Sequence, residues 1–165
     1  MLNLIIKTRN KKGDIMDAVH IHLVANHVPV ILAFSSLILL IFSLFNNKKD
    51  YRNIAFAGFL IAAVFTFISF ESGENAEDVV ENLAGVTHDA IENHEHAAET
   101  ARWFMLVIGV AGIAGLTYFR DDKKRGFRLF LYTSIVIALI AIGYLVYTGY
   151  LGGLIRHTEL VSGSL

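Results

Sequence analysis

Cysteine is absent and proline occurs once, at Pro29. Without thiols there can be no disulfide framework, no thiolate zinc site and no c-type haem attachment, so any metal must be held by His, carboxylate or backbone ligands. Charge is scarce too. Only 18% of the residues are Asp, Glu, Lys or Arg, the formal net charge is −1 and the pI is about 6.6. No global basic field exists to attract nucleic acid, which is set aside as a partner. What fills the 165 residues instead is apolar, with 55% hydrophobic residues and a mean hydropathy of +0.54. That is too apolar for an ordinary soluble domain of this size.

The apolar residues are gathered into four runs whose only charge is Arg128, one residue into the fourth, each close to the roughly 17 to 25 residues that cross a hydrocarbon core. They are Leu23 to Phe45, Ile54 to Phe70, Trp103 to Phe119 and Phe127 to Leu151. The expected fold is all-α, an integral membrane four-helix bundle over residues 18–159, with a partly helical loop between the second and third helices. Residues 1–17 read as an interfacial segment anchored by Leu2, Leu4, Ile5 and Ile6, and 160–165 as a tail. The first run lies too far inside the chain and is too long for a signal peptide.

Lysine and arginine near the span ends set the orientation. The two short links hold Lys48, Lys49, Arg52, Arg120, Lys123, Lys124, Arg125 and Arg128, against Arg102 and Arg156 on the opposite side. The short links are expected to be cytoplasmic. Lys7, Arg9, Lys11 and Lys12 conflict with this; a start at Met16 would remove the conflict. The long loop from Glu71 to Glu99 carries nine acidic residues. Its glycines at 73 and 85 read as breakers, Asn75 to Leu83 as one short turn of helix, and Thr87 as the cap of a helix running through His88, Glu92 and His96 into the third span.

With this topology all seven histidines fall on one side, the outer one. His20, His22 and His27 lie at the outer end of the first span, His88, His94 and His96 lead into the third, and His157 follows the fourth. On a helix His20 and His27 lie within about 20° of each other and about 10 Å apart along the axis. His88, Glu92 and His96 form one row, and Glu95 and Glu99 another beside it. His94 points away from His96 by roughly 160°, so only one of the two can face the bundle. Pro29 frees a backbone carbonyl one turn earlier, near Ala25.

Imidazole suits zinc, copper, iron and nickel, a mixture with carboxylate suits non-haem iron, manganese or zinc, and helix bundles build such sites from inward-facing Glu and His, so the ion expected is iron, copper or zinc. A b-type haem held between His27 and His94 is the other occupant the pattern allows. The bland reading is that a histidine at a span end is interfacial and that acidic loop residues face water. Gly109, Gly112 and Gly115, spaced by three, let the third helix approach a neighbour closely. Tyr144, Tyr147 and Tyr150 read as an aromatic belt or as a row facing the site. Gly152-Gly153 is expected to end the fourth helix and fold Ile155 to Glu159 over the bundle mouth.

The segments His22-Leu-Val-Ala-Asn-His27-Val-Pro29, Ser72-Gly73-Glu74-Asn-Ala-Glu77, Ile91-Glu92-Asn-His94-Glu95 and Gly149-Tyr-Leu-Gly152-Gly153, followed by Arg156-His157-Thr-Glu159, resemble a family of small four-helix bacterial membrane proteins of unknown function. Some of its members are fused to Rieske or c-type cytochrome domains. The resemblance covers Val19 to Glu159 and implies a respiratory or redox setting. The positions matching it best are His22, His27, Glu74, His94, Glu95 and His157. Together these lead to an expected membrane metalloprotein that holds one or two transition-metal ions through those six residues and serves electron transfer. A bis-histidine cytochrome and an accessory subunit of a larger respiratory or transport complex are the rivals. A metal permease is disfavoured, since no charged residue lies in the interior of the four spans to carry an ion, Arg128 standing at the very end of the fourth.

Overall fold

The computed structural model describes residues 25–46, 48–80 and 86–156, with only the backbone for 74–80 and 156. Four long helices account for nearly all of it: α1 (His27–Asn46), α2 (Lys49–Val80), α3 (His88–Leu116) and α4 (Phe127–Arg156). One 3-10 turn, Tyr118–Arg120, lies between α3 and α4. No strand occurs among the described residues. Each helix packs antiparallel on the next, and α4 closes back on α1. All four contain a segment long and apolar enough to cross a membrane.

Each boundary has a local cause. Pro29 is buried and sits in the first turn of α1, where its missing N–H costs nothing. Thr87 caps α3 as its type suggests, Oγ1 accepting from the Ala90 N–H at 3.3 Å. Thr87→Ala is therefore expected to cost about 1 kcal/mol, read as faster amide exchange at Ala90 and Ile91. Gly126 turns the chain into α4 with φ 84°, a conformation that side chains rarely tolerate.

The helices outrun the apolar runs, and two expectations are corrected. Gly73 does not break α2, which continues through it and through the expected separate turn at 75–83 as far as Val80. A glycine inside a helix costs about 1 kcal/mol, too little to stop a helix that gains one bond for every residue added. Likewise α4 passes through Gly152 and Gly153 to Arg156. A glycine C-cap needs positive φ, and Gly126 is the one positive-φ glycine among the described residues.

The bundle is small and aromatic inside and large and apolar outside. Ala33, Leu40, Phe56, Phe59, Met105 and Ile108 are almost fully enclosed, whereas Ile31, Phe45 and Leu129 are more than 60% exposed. Water would punish such an exterior, and lipid accepts it. Hydroxyls inside the spans bond back to carbonyls of their own helix, as in Ser43 to Leu40, Thr66 to Ala62 and Ser134 to Phe130. The glycine row of α3 lies against α2. A methyl group added at Gly112 would sit 2.7 Å from the Phe56 carbonyl oxygen, and one at Gly109 would sit 2.6 Å from Ala63 Cβ. Gly115 leaves room for the Phe56 ring. Two backbones are thereby drawn together by the absence of side chains.

Candidate functional site at the histidine end

The N-termini of α1 and α3 and the C-termini of α2 and α4 share one end of the bundle. His27 opens α1 and is exposed. Glu74 lies on α2, where only the backbone is described, and His20, His22, His157 and Glu159 fall outside the described residues. On α3 the histidines separate as helix geometry requires. His96 faces out and pairs with Glu92 at 3.6 Å, one turn earlier; at such exposure the pair stabilises little. Glu95 is exposed as well.

His94 is the one that faces the bundle. It is half-buried, and its Nδ1 lies 3.0 Å from the Thr148 carbonyl oxygen of α4. A carbonyl can only accept, so Nδ1 carries the proton, and the neutral ring has its lone pair on Nε2. The imidazole lies flat enough on α4 that a methyl group at Gly152 would stand 3.1 Å from Cε1. Gly152 is thus a floor for the ring, a role its reading as a helix terminator missed. Its spacing of four from Thr148, and of eight from Tyr144, was the available signal, since these three positions share one face of α4. Tyr144 follows that logic and stacks on Phe104, with ring centroids 5.6 Å apart and planes at 13°. Tyr147 and Tyr150 face outward.

Arg102 holds the other flank of α3. Its guanidinium lies 3.9 Å from the centre of the Phe70 ring on α2 and 3.8 Å from Glu99. With His94 tied to α4 and Arg102 to α2, the outer turns of α3 are fixed in rotation. At the mouth, Asn26 Oδ1, one residue before His27, is buried with no hydrogen-bond partner among the described residues. Among the described residues no three His, Asp or Glu side chains converge into a group able to hold a metal ion. Of the six residues singled out from the sequence, the described side chains are therefore one oriented imidazole, His94, and two exposed groups, His27 and Glu95.

Comparison of the chain with protein-family models, curated proteins and solved structures finds no match.

Proposed function

We propose that this chain is a multi-pass protein of the bacterial inner membrane whose histidine end faces the periplasm, binds one or two transition-metal ions (iron, copper or zinc) and serves electron transfer in respiration. His94 carries the reading. A half-buried imidazole whose Nδ1–H is held by a backbone carbonyl has its tautomer and plane set in advance, as metal-ligating histidines do. His22, His27, Glu74, Glu95 and His157 supply the further ligands in this proposal. The buried Asn26 oxygen adds a group that a cation would satisfy. The family resemblance supplies the respiratory setting.

Elemental analysis and an absorption spectrum of one purified sample test it. Close to one or more equivalents of metal per chain supports the reading. A Soret band instead assigns His27 and His94 to a b-type haem, and a colourless, metal-free protein ends both versions.

The floor beneath the ring gives a sharper test. Gly152→Ala is expected to push the His94 ring by a few tenths of an ångström, because 3.1 Å is shorter than ordinary carbon contact. Metal affinity should fall about tenfold, the usual cost of disturbing a ligand's support. Helix propensity meanwhile favours alanine by about 1 kcal/mol. A chelator competition titration showing unchanged affinity in a folded Gly152→Ala protein would place the metal elsewhere.

A further inference from the structure

The opposite end of the bundle holds an arginine that the loop reading of this region does not explain. Arg52 stands one turn into α2 with 2% of its surface exposed. Its guanidinium carbon lies 4.6 Å from the centre of the Phe127 ring, which opens α4. Nε and Nη2 are both buried and both without a hydrogen-bond partner among the described residues. These two nitrogens form one edge of the guanidinium, the edge that grips a carboxylate or phosphate with two parallel hydrogen bonds.

A buried charge is normally paired and hydrogen-bonded, and an orphaned one is costly. The carboxylate nearest in electrostatic reach, Asp122, attracts Arg52 but is shared with Lys49 at 3.9 Å. It leaves the two-nitrogen edge unfilled. The surroundings add positive potential in two ways. The N-termini of α2 and α4 both begin here. The two links and the first turns beside them carry eight Lys and Arg against three Asp between residues 48 and 128. Aromatic rings make the inner floor, with Phe119 stacked on Phe130 at 4.2 Å and Phe56 at 5.4 Å from Phe130.

We propose that Arg52 anchors a phosphate-type oxyanion at this basic end, supplied by the headgroup of an anionic phospholipid or by free phosphate. The oxyanion takes the Nε and Nη2 edge that Asp122 leaves unfilled, and the exposed lysines and arginines hold its remaining charge. Asp122 belongs to the connection running from α3 into α4, and Phe127 is the first residue of α4 where that connection ends. An outward movement of that connection therefore opens the edge at the depth where headgroups lie. The site is independent of the histidine end, and its success or failure leaves the metal reading untouched.

Thermal unfolding of the delipidated full chain in dodecyl maltoside tests this. It is followed with added phosphatidylglycerol, with a phosphate-free galactolipid, and with sodium phosphate alone. The expected result is a rise of about 5 °C with phosphatidylglycerol and none with galactolipid, since ligands that bind only the folded state raise its stability. The same rise from sodium phosphate alone identifies the free anion as the source. Arg52→Lys keeps a charge but loses the planar edge, and should abolish the gain. Asp122→Asn, at a partly exposed position, removes a neighbouring negative charge that repels the oxyanion and should lower the half-saturating lipid concentration about threefold. No gain from either phosphate source, an equal gain from galactolipid, or weaker lipid binding by Asp122→Asn would overturn the proposal. The last of these readouts does not depend on Arg52→Lys folding.

Discussion

Replacing Gly112 by leucine is expected to leave little folded protein in detergent. The first added atom alone would lie 2.7 Å from the Phe56 carbonyl oxygen and 3.4 Å from the Leu60 nitrogen. Both are backbone atoms of a neighbouring helix and cannot rotate away. Relief requires α3 to withdraw from α2 along its length, which also loosens Gly109 from Ala63 and Gly115 from the Phe56 ring. Overpacking usually costs about 1 to 3 kcal/mol when side chains can adjust; with backbone on one side the upper figure is the expected minimum. Size-exclusion chromatography and thermal unfolding give the readout. Gly143→Leu serves as control, because a Cβ added there meets nothing within 4 Å. Equal loss in both variants would mean that leucine on these helices is harmful for reasons unrelated to close approach.

The second large effect concerns His94. His94→Ala is expected to bring bound metal from stoichiometric to background while leaving a folded bundle, since the ring's contact with Thr148 is a single hydrogen bond worth about 1 kcal/mol net. His96→Ala should keep its metal, because that ring faces outward beside Glu92. The pair of variants separates a specific site from loose binding by a histidine-rich surface. If both lose metal equally, the ions are surface-bound, and if neither does, His94 is not a ligand.

How far the sequence reading reached depends on what each signal measures. Hydropathy located all four helices long and apolar enough to cross a membrane, but it ended the second run at Phe70 while α2 runs on to Val80. A helix stops where its hydrogen bonds do, not where lipid does. Thr87 was legible because a cap acts within four residues. The glycine row announced a close approach but not its partner, which is α2 at Ala63 and Phe56. The angle between His94 and His96 required one to face inward; which one did so rested on Thr148 and Gly152, more than fifty residues away. Arg52 was read with Lys48 and Lys49 only as a cation of the short link, and its place inside α2, buried against Phe127, was not legible.

By itself, then, the order of residues determined four long apolar helices, the cap that starts the third, and a bundle with histidines at one end and most of its cations at the other. Each of these follows from local bonding or from transfer between water and lipid, which a residue carries wherever the fold puts it. Tertiary structure decided the rotation of the helices about their axes, and with it which of two histidines is oriented, which glycines are contact points and which arginine loses its water. Rotation depends on how two remote surfaces fit, and no single segment contains both of them.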